Sequence, residues 1–368
     1  MKILAGAIGL FFGSFFSLAV LAQPAPHANF KTNKKTPKIE VLVFDSGFAP
    51  YDDETRRGRE LLKSYYLRSE GDENVKQTVL GVGLHGQMMV QELRLGIVDQ
   101  TKIYLADSRA IIDEVSDLLS RRGRPDVVIG AAGEMLRAKE PFWRRANHAE
   151  DVPTTLTQLD DLLVEASGVR PRTYEDIREE YRTHFIKTYH TPLGAMKRAP
   201  DVVNLSMGFI ANTESFTDLA VHHRVLRELV EQWVRLYPQT LFVASAGNEG
   251  CELDQSWDYS WSGVTAENLV VVGATDGRGV RLPTSNFGKG VDVYINGSGL
   301  KVNSNDLFGK RSKVPYYEFA MSSTSVAAPR FSNKVIQRLI ALRRTSPRAT
   351  ALEAYRLILK ESRPLPKR

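Results

Sequence analysis

The sequence predicts an α/β fold: a mainly parallel sheet with helices on both faces, plus a helical insertion. Three observations lead there. Short apolar runs (Ile39–Phe44, Val79–Leu84, Val202–Leu205, Leu241–Ala244 and Leu269–Val272) have the length and composition of buried strands. A long stretch, Glu214–Leu236, sits between two of them with Leu219, Val225, Leu226, Leu229 and Trp233 at helical spacing, and strands alternating with helices imply parallel pairing. Each apolar run also ends on a polar or glycine-bearing motif, and in open parallel sheets chemistry gathers at the carboxyl ends of strands.

In chain order, Lys2 is followed by an uncharged, apolar Ile3–Ala22 that closes on the small residues of Val20-Leu21-Ala22. That is the pattern of an export signal covering residues 1–22, and it predicts a secreted or periplasmic protein with no stable membrane insertion after cleavage. Residues 23–38 are rich in Pro, Lys and Asn and read as a flexible leader. The catalytic-domain candidate spans 39–362, and residues 363–368 form a short tail. The first strand, Ile39–Phe44, runs into Asp45-Ser46-Gly47; the run Val79–Leu84 reaches His85-Gly86 and a helix expected from Gln87. Asp126–Ile129 is a further candidate strand. Residues from about 108 to 198 are charged and helix-prone, as in Tyr174–Tyr189, and read as the insertion, a surface suited to a protein partner. The sheet resumes at Val202–Leu205, which ends at Ser206-Met207-Gly208; Leu241–Ala244 ends at Ser245-Ala246-Gly247-Asn248; Leu269–Val272 ends at Gly273.

Composition excludes several classes. Cys251 is the only cysteine, so neither an intrachain disulfide nor a cysteine zinc site can form. The net charge of +6 comes from scattered basic residues, which read as solvated faces with no dedicated nucleic-acid site. There is no His-Glu-x-x-His motif and no phosphate-binding glycine loop. His222 and His223 are adjacent on a helix and make a poor metal pair, and His184 and His190 lie in the charged insertion. Trp257 and Trp261 are either a pocket rim or packed loop anchors.

Hydrolysis of an acyl bond by serine needs a nucleophile, a base, a carboxylate to orient the base, and donors for the oxyanion. Ser325 lies in Ser322-Ser323-Thr324-Ser325-Val326-Ala327-Ala328-Pro329, where a helix begins and its dipole favours negative charge. His85, Asp45 and Asn248 are the candidate base, carboxylate and donor. Singly, each is ambiguous: a serine at a helix start is often only a cap, and Asp45 and Asn248 suit turns.

Taken together, Val43-Phe44-Asp45-Ser46-Gly47, His85-Gly86, Asn204-Leu205-Ser206-Met207-Gly208, Ala244-Ser245-Ala246-Gly247-Asn248 and Ser323-Thr324-Ser325-Val326-Ala327-Ala328-Pro329 resemble the subtilisin-like serine protease family, in that family's order of Asp, His, Asn and Ser. The resemblance implies a subtilisin-like fold and a secreted endopeptidase acting on polypeptides, with Asp45, His85 and Ser325 as triad and Asn248 as oxyanion donor. It implies substrate contacts at Ser206, Met207 and Gly208 on one side and at Ser245, Ala246 and Gly247 on the other. No cofactor is required for this chemistry; family members often bind structural calcium, but Asp52, Asp53 and Glu54 match no calcium motif. Three departures stand out. Ser323 replaces a customary glycine, Gln87-Met88-Met89 follows the histidine, and Ile295-Asn296-Gly297 replaces Ala-Pro-Gly. The competing readings are a triad-bearing binding or scaffold protein with little or no activity, and an esterase.

The signal reading predicts that N-terminal sequencing of the exported protein starts at Gln23; an intact Met1 in a membrane fraction would contradict it.

Overall fold

A computed structural model describes residues 38–45, 63, 67, 73–97, 100–107, 178–179, 182–183, 191–206, 216–248, 250, 252–253, 261, 264–308, 310 and 313–361. Its centre is a six-stranded parallel sheet. In chain order the strands are β1 (Ile39–Asp45), β2 (Thr101–Asp107), β3 (Val202–Leu205), β4 (Leu241–Ser245), β5 (Leu269–Thr275) and β6 (Val293–Asn296). Their order across the sheet is β2-β1-β3-β4-β5-β6, with every neighbouring pair parallel. A separate antiparallel pair joins β7 (Leu300–Asn303) to β8 (Glu318–Met321).

The inner strands are apolar on both faces because helices cover both. Along β1, Val41 and Val43 pack with α5 (Thr324–Arg343) and α6 (Ala351–Glu361), while Leu42 and Phe44 turn to α3 (Phe216–Leu236). The same alternation holds along β4, where Leu241 and Val243 oppose Phe242 and Ala244. On the α3 side, Trp233 is fully buried and stacks between Phe44, with ring centroids 5.6 Å apart, and Phe242 at 6.4 Å. On the other side, Phe331 of α5 meets the edge of Tyr355 of α6 at 5.9 Å. Three further carbonyls near the end of α3 are held by one buried side chain: the Asn268 amide donates to Val234, Tyr237 and Thr240.

One expected strand is a helix. Val79–Leu84 lies inside α1 (Glu73–Arg94), so the helix neither starts at Gln87 nor follows a strand. The reason is visible in its burial: Leu80, Leu84 and Met88, four apart, all sit in one cluster with Val326, Leu300 and Val302. An apolar run of six residues fits either period, and packing decides here for the helix. The unusual Met88-Met89 pair is part of this core, 4% and 0% exposed.

Asp126–Ile129 and most of the 108–198 segment lie outside the described residues. The end of that segment joins the core: α2 (Thr191–Gly194) buries Leu193 among the residues around Trp233. Arg178 also bonds Glu228 of α3 at 3.4 Å. α4 (Ser304–Phe308) packs beside α1 through Leu307. Among the described residues no helix is long and apolar enough to cross a membrane.

Strand β1 is followed in sequence by β2 on one side and is flanked by β3 on the other. The direction of winding therefore reverses between β1 and β3, and the crevice at their carboxyl ends is where such sheets place ligands. Trp233 fills the layer between α3 and the sheet, against β1 and β4. Trp233→Ala should destabilise the protein by about 3–5 kcal/mol in urea unfolding; a loss under about 1 kcal/mol would mean that the stack is not a core element.

Candidate active site

Asp45 is the last residue of β1 and is 1% exposed. His85 stands in the middle of α1, and its Nδ1 lies 2.6 Å from Asp45 Oδ1. A carboxylate can only accept, so the proton of this bond belongs to Nδ1, and Nε2 is left as the basic nitrogen of the ring. The imidazole side of the pair is about a quarter open, with 23% of the side chain exposed. The structure thus brings together two of the residues singled out in the sequence, 40 positions apart.

Ser325 is the second residue of α5 and is buried. The turn that presents it is capped by its neighbours. The Ser323 side chain accepts from the Val326 N–H at 3.3 Å, so Ser323, and not Ser325, is the cap. Ser323 has φ −164°, an extended conformation open to any residue, so its replacement of glycine carries no strain. Pro329, one turn on, has no N–H to offer the Ser325 carbonyl. Val326 packs among Leu80, Leu84 and Met88, which flank His85 on α1, so the serine helix and the histidine helix share one apolar contact.

Asn248 follows β4 in a half-buried position. Its Oδ1 accepts from the Thr324 N–H at 2.9 Å and from the Thr324 hydroxyl at 3.1 Å. A backbone N–H needs an acceptor, which fixes the flip of the amide and turns its NH₂ away as a donor. The same hydroxyl accepts from the Gly247 N–H at 3.1 Å. Thr324, next to the candidate nucleophile, was not among the residues singled out by sequence; its place in the Ser-Thr-Ser triplet is the signal that was available. The Thr324 N–H goes to Asn248, and those of Val326 and Ala327 go to Ser323. Among the described residues, the Ser325 N–H is therefore the amide of this first turn with no acceptor.

The expected substrate contacts are placed as follows. Ser206, directly after β3, is fully buried and its hydroxyl accepts from the Asn204 amide at 2.7 Å. Asn204 in turn accepts from Ser332 of α5 at 2.9 Å. The Ser206 side chain therefore faces inward, and a substrate edge here would use its main chain. Met207 and Gly208 lie outside the described residues. Ser245, Ala246 and Gly247 are buried, and their main chain is tied into the scaffold. The Ser245 carbonyl accepts from Trp261 Nε1 at 2.8 Å, the Ala246 carbonyl from the Asn286 amide at 2.8 Å, and the Gly247 carbonyl from the Asn286 N–H at 3.1 Å. Gly247 has φ 95°, a conformation that favours glycine. Trp261, 2% exposed, is a packed anchor and not a rim; Trp257 lies outside the described residues. Among the described residues no three His, Cys, Asp or Glu side chains are grouped to hold a metal, and Asp52, Asp53 and Glu54 are not among them.

Residues 173–354 match the model of the subtilase family. That span includes Ser206, Asn248 and Ser325 and stops short of Asp45 and His85, which the sheet and α1 bring to the same end of the fold. No curated protein matches the sequence. Among solved structures, a lanthipeptide protease is similar over 89% of this chain and 81% of its own, at 14% identity and a TM-score of 0.43. The self-cleaved protease domain of PatA is similar over 50% of this chain at 20% identity and a TM-score of 0.33. A protease from Pseudoalteromonas arctica is similar over 47% of this chain at 20% identity and a TM-score of 0.31. The chain spans 60% of the PatA domain and 47% of the Pseudoalteromonas protease. Residues 173–354, which include the candidate nucleophile turn and the Asn248 loop, are thus similar to the subtilase family of serine-type peptidases.

Proposed function

We propose that this protein is an exported serine endopeptidase that hydrolyses peptide bonds through an acyl-enzyme. The observation that carries the proposal is the 2.6 Å bond between His85 Nδ1 and the buried Asp45 carboxylate. A serine hydroxyl is a poor nucleophile until a base takes its proton. Asp45 keeps the His85 proton on Nδ1 and stabilises the imidazolium that forms, so Nε2 is the acceptor for the Ser325 proton and later its donor to the leaving amine. The carbonyl oxygen, as it becomes an oxyanion, is met by the Asn248 NH₂, which Thr324 has already aimed, and by the Ser325 N–H at the positive end of α5. Neither donor has to be reoriented at the moment of reaction, which is what makes such donors effective in a site screened from water.

Polypeptide substrates follow from the family, and an extended substrate would lie along Ser206-Met207-Gly208 with Ser245-Ala246-Gly247 as the facing wall.

The test is a double-mutant cycle on a peptide substrate. Ser325→Ala should lower kcat by roughly a million-fold, the scale of such losses in subtilisin, and adding His85→Ala should cost almost nothing more. Additive losses would show that the two residues do not handle the same proton. A folded wild type that cleaves no peptide would overturn the proposal.

A further inference from the structure

Arg330 of α5 makes three bonds to two separate segments. Its Nε donates to Glu92 of α1 at 2.5 Å. Its Nη1 donates to the Asn296 carbonyl at 3.0 Å and to the Ser298 carbonyl at 2.9 Å, in the loop between β6 and β7. Glu92 is seven residues, or two helical turns, beyond His85 on the same face of α1. Arg330 is five residues beyond Ser325. The 296–299 loop in turn holds the residues just before the nucleophile: Gly297 accepts from the Ser323 N–H at 2.9 Å, and the Gly299 N–H donates to the Ser322 hydroxyl at 3.3 Å. A Cβ at Gly297 would collide with the Ser323 carbonyl, so the loop lies hard against that turn. The departure Ile295-Asn296-Gly297 falls at this point, and Asn296 closes the loop by accepting from Ser298 with its side chain at 3.0 Å.

We propose that Arg330 is a positioning residue which, through Glu92 and the Asn296 and Ser298 carbonyls, fixes the His85 helix and the Ser325 turn relative to each other. The inference rests on the endopeptidase reading for its catalytic consequence, but the brace itself is a matter of geometry. A lone guanidinium is suited to this because its planar fork presents several donors at fixed angles, whereas an ammonium is a single point of charge. The pair is also well placed to be rigid: only 23% of the Arg330 side chain and 12% of Glu92 are exposed, so water competes weakly. A second grip lies one turn along α5, where the Asn333 amide donates to the Leu93 and Leu95 carbonyls at the end of α1. Asn333 ties down the far end of α1; Arg330 alone among the residues of α5 links α1 to the loop that steadies the Ser323 turn, as far as the described residues go. Small displacements between a nucleophile and its base are costly, since an error of about 1 Å lowers turnover on the order of 100-fold.

The experiment compares wild type, Arg330→Met, Arg330→Lys, Glu92→Gln and the Arg330→Met/Glu92→Gln double variant. Peptide turnover is read below each variant's unfolding midpoint, and amide hydrogen exchange is read by mass spectrometry. We expect Arg330→Met to lower kcat roughly 10- to 100-fold with KM within about twofold, and Arg330→Lys to recover part of the loss. The double variant should lose no more than Arg330→Met. Exchange should quicken in 295–299 and 321–326 while β3, β4 and β5 keep their protection. Wild-type kcat in Arg330→Met, or exchange that quickens throughout the sheet, would overturn the proposal, the second because it would mark Arg330 as a general stabiliser. If the wild type itself turns over no peptide, the endopeptidase reading fails separately. The exchange data then decide alone: selective loss at the two segments supports the brace, and unchanged exchange refutes it.

Discussion

A carboxylate at the end of a buried parallel strand must be paired, and the pairing of Asp45 organises everything around it. Leaving such a charge buried and uncompensated costs several kcal/mol. Asp45 is 1% exposed, and the His85 ring meets it at 2.6 Å. That requirement explains the placement of α1, whose middle must pass over the carboxyl end of β1. It also explains why α1 carries Leu84, Met88 and Met89 around the histidine: the helix is held down by apolar packing so that one polar side chain can reach the strand end. The same pairing would serve the proposed chemistry, because the carboxylate that needs a donor also settles which imidazole nitrogen is basic.

The second organising element is α5. Its apolar face lies on the sheet through Ala327, Ala328, Phe331 and Val335, small residues at the start letting it approach closely. Its polar residues each reach a different part of the site's support. Thr324 aims the Asn248 amide, Arg330 joins α1 to the 296–299 loop, Ser332 bonds Asn204 under the end of β3, and Asn333 closes α1. One helix therefore carries the nucleophile candidate and holds the residues that must face it, which keeps the constellation rigid without a disulfide. At its far end Arg343 pairs with Asp201 at the start of β3, so the helix is fastened at both ends of the sheet.

The sequence made the central strands legible because a strand buried on both faces is a continuous apolar run, and β1, β3, β4 and β5 are such runs. It made α3 and α5 legible by their helical patterns, and the motifs after β1, β3 and β4 mark one end of the sheet. Other parts were not readable for identifiable reasons. Val79–Leu84 has too few residues to separate strand from helix until Leu80, Leu84 and Met88 are seen on one face. β2 escaped notice as an edge strand, with Lys102 and the half-exposed Leu105 breaking its apolar pattern. What Ser323 costs in place of glycine depends on a backbone angle no sequence states, and its extended φ leaves it unstrained. The roles of Thr324 and Arg330 lie in bonds to residues 76 and 238 positions away, beyond any local pattern.

The central claim is that Asp45 and His85 form a charge-orienting pair that makes Ser325 a nucleophile. It is tested most directly by treating the folded wild type and an Asp45→Asn variant with a serine-directed phosphonate and mapping the adduct by peptide mass spectrometry. The account predicts a single adduct on Ser325 in the wild type and a labelling rate lower by roughly 10⁴-fold in Asp45→Asn, where the amide favours the wrong imidazole tautomer. No adduct on the folded wild type, or equal labelling of the two proteins, would contradict it.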